Sequence, residues 1–238
     1  VNRDGFLDHY VMNNGNVTVA ALGDHSRYYE NAGNLAVPGA ARWLELRLIG
    51  RFGNIAGIGS RIELTAGGTT WKRQVLGDPV FESSSSRNVH FGLGATRFAE
   101  KLSIDWPGGT HQELHYVSTD QFLELVEPTV LIQGLDAPIW AGTSVGGTYT
   151  YNVTVHNQGK TGRAFDVRFD LHQNSKGPAA KTTLVPVRLR AGETKVVPLV
   201  VSVSAADHAA LQGKTITERV YVVSGRGIDS RELEVVLP

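Results

Sequence analysis

The chain has 238 residues, with 23 Lys+Arg balanced by 23 Asp+Glu and no cysteine. Zero net charge argues against a nucleic-acid protein, which carries a basic excess to meet phosphate, and the lack of cysteine excludes disulfides, thiolate catalysis and Cys-type zinc sites. No apolar run approaches the ~20 residues that cross a bilayer as a helix, so no transmembrane segment is expected. No signal peptide is visible either, but the first residues read as the middle of a motif, which leaves the export route open.

The opening Val1-Asn2-Arg3-Asp4-Gly5-Phe6-Leu7-Asp8 has the spacing of a loop that wraps a hard cation. Alternate oxygen ligands from Asn2, Asp4 and Asp8 point inward, Gly5 permits the sharp turn, and the Phe6 carbonyl fills the next position. The usual opening Asp would precede Val1. Weak or absent calcium binding is therefore expected for this chain, with the site restored in a longer one. A glycine-centred hairpin turn with solvated acids is the plain alternative. Short strands are expected over residues 9–12 and 16–22, with Asn13-Asn14-Gly15 as the turn between them.

From Arg42 to Glu127 short alternating strands are punctuated by glycine. Residues 43–49 and 61–64 alternate apolar and charged positions, as half-buried strands do, and Gly67-Gly68 marks a hairpin. Strands are also expected at 71–76, 101–106, 111–117 and 121–126, which together imply a sandwich or barrel. Gly57, Gly59, Gly92 and Gly94 suit positive φ or close backbone approach. Phe91 and Leu93 face one side and fill a core, His90 reads as a satisfied interior or edge histidine, and Trp106-Pro107 ends a strand. On one face of the 111–117 strand stand His111, Glu113 and His115. The two imidazoles lie roughly 13 Å apart at ~3.3 Å per residue, too far to share one ion without a bend, so a solvated polar face is expected.

Glu127-Pro128 marks a boundary, since proline ends the preceding strand. Beyond it, strands are expected at 148–157, 164–171, 182–189, 194–203, 215–223 and 231–237. Ser204 and Asp207 have the spacing of a cap for a short helix ending at Leu211. About seven strands in ~110 residues is the pattern of an immunoglobulin-like sandwich. Gly142-Thr143-Ser144-Val145-Gly146 fits the nucleophile-elbow pattern, but an alternating strand follows where the elbow needs a helix, so Ser144 is not expected to be catalytic. Asn16 and Asn152 begin Asn-x-Thr sequons within expected strands and support glycosylation only weakly.

Three phrases carry a family resemblance: Ile55-Ala56-Gly57-Ile58-Gly59-Ser60-Arg61-Ile62, Val89-His90-Phe91-Gly92-Leu93-Gly94, and Ile104-Asp105-Trp106-Pro107-Gly108-Gly109. In this order they closely resemble the ASPIC/UnbV family over about residues 42–128, with Ser60 in place of the usual Ala. The first 41 residues resemble one terminal blade of an FG-GAP (integrin-type) β-propeller, with Tyr28-Tyr29-Glu30-Asn31-Ala32-Gly33 closing it. Residues 129–238 resemble bacterial adhesion-type Ig-like domains.

Together these imply an all-β chain of two β-sandwich-like domains, 42–128 and 129–238, preceded by a propeller-blade remnant over 1–41. They imply a non-catalytic secreted or cell-surface binding and structural protein, extracellular or periplasmic, forming the C-terminal portion of a propeller-bearing chain. Upstream propeller blades and surface protein or glycan partners follow from that reading, and calcium is implied only for the full-length chain. Two other readings stay open. One is an accessory region of an extracellular enzyme whose active site lies in the missing propeller, and the other a subunit of a larger surface or membrane-associated assembly.

Overall fold

A computed structural model describes residues 7–11, 26–31, 41–77, 86–137, 147–173, 179–211, 213–225 and 227–236. A two-stranded antiparallel pair comes first, β1 (His9–Val11) and β2 (Arg27–Tyr29). Asp8 accepts a hydrogen bond from the Asn31 backbone N–H at 3.0 Å beside this pair. All six strand residues are exposed, Tyr10, Tyr28 and Tyr29 included, so the pair buries no face of its own.

The first module holds seven strands in two sheets. They are β3 (Arg42–Ile49), β4 (Arg61–Ala66), β5 (Thr69–Gln74), β6 (Val89–Gly94), β7 (Phe98–Asp105), β8 (His111–Ser118) and β9 (Gln121–Val126). One sheet has the order β6-β3-β9 and the other β5-β4-β7-β8. Their inner faces enclose one core, in which Leu44, Leu46, Ile62, Leu64, Phe91 and Leu102 are fully buried. Gly67 and Gly68 have φ of +56° and +77°, the two positive values that a tight hairpin between twisted strands requires. The parallel pairing of β3 with β9 was not legible in the strand pattern, because parallel neighbours meet across a long crossover.

The second module is another sandwich. Its strands are β10 (Val130–Asp136), β11 (Gly147–Asn157), β12 (Arg163–His172), β13 (Lys181–Leu189), β14 (Thr194–Val203), β15 (Thr215–Ser224) and β16 (Gly227–Val236). A β10-β11-β14 sheet faces a β13-β12-β15-β16 sheet. Period-2 burial is strict in β11, where Tyr151, Val153, Val155 and Asn157 are all fully buried. Asn157 closes the end of that row by donating to the carbonyls of Thr161 (2.9 Å) and Arg190 (2.8 Å). Between β14 and β15 the helix α1 (Ala205–Leu211) is capped by Ser204, whose hydroxyl accepts the Asp207 N–H at 3.1 Å. The protein is thus all-β apart from this one short helix among the described residues, as the sequence led us to expect.

The segment joining the modules is buried. Glu127 and Thr129 are 1% and 3% exposed, and Pro128 between them is also buried. Two glycines from the second module press on it. A Cβ on Gly227 would stand 2.8 Å from the Pro128 Cα, and one on Gly159 only 2.6 Å from the Thr129 Cγ2. Glu127 accepts the Arg51 and Phe52 N–H groups at 2.7 and 2.9 Å, which ties the 51–59 loop to the same junction.

Candidate functional site: the cleft between the two modules

Strand β8 is the last strand of its sheet, and β16 the last of its own, so each presents backbone groups that need partners. They satisfy one another through side chains. Asp229 Oδ1 accepts the Glu113 N–H at 3.2 Å, and the Ser230 hydroxyl donates to the Glu113 carbonyl at 3.1 Å. The other Asp229 oxygen accepts the Ile132 N–H of β10 at 2.8 Å, so one fully buried carboxylate ties three strands from two modules. Gln112 adds a second tie. Its carbonyl oxygen accepts the Trp106 indole N–H at 3.0 Å, and its amide donates to the Ile228 carbonyl at 2.6 Å. Gln158 completes the seam by donating to Pro128 O at 2.6 Å and meeting the Thr110 hydroxyl at 3.2–3.3 Å.

Above this seam the outer face of the β13-β12-β15-β16 sheet meets the edge of β8 and leaves a cleft of about 300 Å³. Its apolar floor comes from Leu114, Val223 and Ile228. Its polar wall follows from strand register. Arg168, Tyr221 and Ser230 stand opposite one another on β12, β15 and β16, and Asp170 lies two residues along the same face as Arg168. Asp170 accepts Arg168 Nε at 2.9 Å and the Thr182 hydroxyl at 2.7 Å. This hydrogen bond raises the Arg168 guanidinium further above its ordinary value. Tyr221 accepts Arg219 Nη1 at 2.9 Å, and burial pushes its phenol above the usual tyrosine value. Arg219 in turn lies over the Tyr116 ring, 4.7 Å from its centroid. Tyr116 has φ of +51° within a strand, a conformation that costs a bulky residue energy and persists where the surroundings enforce it.

His115 forms the far wall. Its side chain is 11% exposed, and Nε2 is buried beside Glu113 Oε2 at 3.6 Å. Glu113 sits between the two histidines that the strand pattern placed on its face. His111 Nε2 is 3.1 Å from its Oε1, and Lys101 Nζ 2.7 Å from the same atom. The polar contacts of its side chain, with His115 foremost and then Lys101 and His111, hold the Glu113 carboxyl well below the usual range against the opposing effect of burial. Burial opposes the charging of His111, but its hydrogen bonds to Asp105 (2.6 Å) and Glu113 prevail and raise its pKa above the ordinary value.

The motif glycines do their work in the backbone. Gly57, Gly59 and Gly94 have φ of +64°, +94° and +57°. Gly92 departs from the expectation, since its φ is not positive and a Cβ there would meet open space. It lies opposite Trp43, beside the stack of Trp43 on His90 (6.3 Å between ring centroids), on the outer face of its sheet. Phe91 and Leu93 enter the core, and Trp106 is 3% exposed, with Pro107 following the end of β7. Arg61 is exposed on β4. Asn2, Asp4, Phe6 and Ser144 lie outside the described residues. Arg168, Asp170, Gln112, Tyr221 and Asp229 carry the cleft and its seam, yet no motif flagged them. The only signal was the alternation that put Arg168 and Asp170 on one strand face.

The ASPIC and UnbV family model matches residues 50–131. That segment is similar to an ASPIC and UnbV domain. The match begins just after β3, whose hydrogen bonds to β6 and β9 make it part of the same module. No curated protein matches the chain. Among solved structures, a candidate carbohydrate-binding protein from Bacteroides uniformis ATCC 8492 is similar at 10% identity, over 82% of this chain and 98% of that one, with a TM-score of 0.37. A DUF3823 family protein from Parabacteroides merdae ATCC 43184 is similar at 10% identity, over 82% and 98% of the two chains, with a TM-score of 0.38. A Bacteroides uniformis β-glucuronidase is similar at 11% identity over 84% of this chain and only 24% of its own, with a TM-score of 0.38. Scores this low carry no function across.

Proposed function

We propose that the chain is a non-catalytic binding and structural portion of a secreted or cell-surface protein, in which the ASPIC and UnbV domain and the following sandwich act as one rigid body. The observation that carries this reading is the seam through Asp229, which satisfies backbone groups of both modules with a fully buried carboxylate. A buried charge that ties three strands suits a fixed geometry and not a hinge. The titratable groups gathered on β7 and β8 point the same way. Lys101, Asp105, His111 and Glu113 are spent on one another, which leaves no base poised beside a nucleophile there.

The finer parts of the reading rest on the sequence phrases. The ABE/C′CFG-like strand order of the second sandwich supports an Ig-like spacer or docking module. The exposed tyrosines of β1 and β2 support packing against upstream propeller blades, because an isolated two-stranded pair is marginal in water. Calcium would then enter at Asn2, Asp4, Asp8 and the Phe6 carbonyl only with the preceding blade in place. Incubating the chain with a fluorophosphonate probe and with chromogenic ester and glycoside substrates tests the non-catalytic assignment. Neither labelling nor turnover is expected, and Ser144 labelling that disappears in Ser144→Ala would overturn it.

A further inference from the structure

We infer that the cleft between the modules is a binding site for a single pyranose ring, presented by a neutral glycan. The inference rests on the non-catalytic reading above and adds the ligand and its place. The cleft is about 300 Å³, at the lower end of the size range of small-ligand sites and large enough for one sugar ring. One side is apolar, formed by Leu114, Val223 and Ile228, and matches the C–H face of a pyranose.

The other side presents the polar groups that vicinal hydroxyls need. Arg168 uses its Nε on Asp170, which directs the guanidinium and leaves the terminal nitrogens as donors at a side chain that is 45% exposed. Asp170 is a carboxylate acceptor within the same pair. A neighbouring donor and acceptor on fixed side chains can receive two adjacent hydroxyls, each of which donates once and accepts once. Tyr221 accepts from Arg219, so its own O–H proton can be given to a ligand oxygen. His115 lines the cleft from the β8 side, with its Nε2 turned to Glu113 Oε2 at 3.6 Å.

Charge decides between a neutral sugar and an acid. The positive charge of Arg168 is already met by Asp170 at 2.9 Å, so the cleft offers dipoles and hydrogen bonds more than net charge. A free carboxylate would approach Asp170 as well as Arg168. A polyol ring would satisfy both.

The test is a titration of the full chain with methyl glycosides of glucose, galactose and mannose, followed by backbone NMR. Sodium acetate and glycerol serve as controls. Saturable shifts at Leu114, Tyr221 and Ser230 are expected with at least one glycoside, with millimolar affinity, about −4 kcal/mol, as befits one ring. Tyr221→Phe and Asp170→Asn keep the side-chain shapes and should each weaken binding about tenfold or more, with unfolding midpoints checked in parallel. Arg47→Ala, away from the cleft, should change nothing. The inference is overturned if no glycoside saturates these signals, if acetate binds as well as the sugars, or if Tyr221→Phe and Asp170→Asn leave affinity intact. Release of methanol from a glycoside would instead overturn the non-catalytic reading while leaving the site in place.

Discussion

Asp229 accepts the backbone N–H of Glu113 across the module boundary, and the residue beside it, Ser230, donates to the carbonyl of the same Glu113. Two consecutive residues of one module thus clamp both backbone groups of a single residue in the other. The second oxygen of Asp229 holds the Ile132 N–H. Asp229→Ala strands both amides in a buried place, at a cost on the order of 1–3 kcal/mol for each. Urea unfolding should show a drop in stability of that size, clearly larger than for Asp166→Ala on the exposed outer face of β12.

Ser60 stands directly before β4. Its side chain is fully buried, and its hydroxyl has no hydrogen-bond partner. Burying an unmatched hydroxyl is unfavourable, so Ser60→Ala is expected to stabilise the protein by about 1 kcal/mol. Chemical denaturation checks this directly. A loss of stability would mean that the hydroxyl has a partner that the packing does not reveal.

The glycines divide into those the backbone needs and one it does not. Gly94→Ala places a side chain at φ of +57° and should cost about 1–2 kcal/mol. Gly227→Ala drives a Cβ into the Pro128 backbone and should cost about 1–3 kcal/mol. Gly92→Ala meets open space without positive φ and should be close to neutral. Thermal unfolding of the three variants gives the order.

His111 and Glu113 give stability opposite pH dependences. The raised His111 pKa means that its contribution is complete below about pH 6.5 and is lost as pH rises through the folded-state value. Glu113 has a depressed pKa, so its contribution is complete above the usual carboxylate range, near about pH 4.3, and is lost only as pH falls through its lower folded value. NMR titration should place the His111 pKa above that of a free imidazole, and Asp105→Asn should lower it.

Much of the fold was legible because it follows period 2. Tyr151, Val153, Val155 and Asn157 announce a buried face in their spacing, and Phe91 with Leu93 does the same. Strand β10 has no clean period-2 signature, since its pairing with β11 shifts register between Ile132 and Gly134 and its alternation breaks there. β16 begins at Gly227, ahead of the expected 231, because Asp229 and Ser230 are buried polar residues and break the apolar alternation there. The cleft was not legible at all. The ties through Ile228, Asp229 and Ser230 join residues 97 to 117 positions apart, and no local pattern records which side chain will meet which backbone across such a distance.

The measurement closest to the central claim is differential scanning calorimetry of the wild-type chain beside Asp229→Ala. A rigid two-module body predicts one cooperative transition in the wild type, with calorimetric and van't Hoff enthalpies in agreement, and two separated transitions once the Asp229 seam is cut. Two independent transitions in the wild type, unmoved relative to each other by Asp229→Ala, would contradict it.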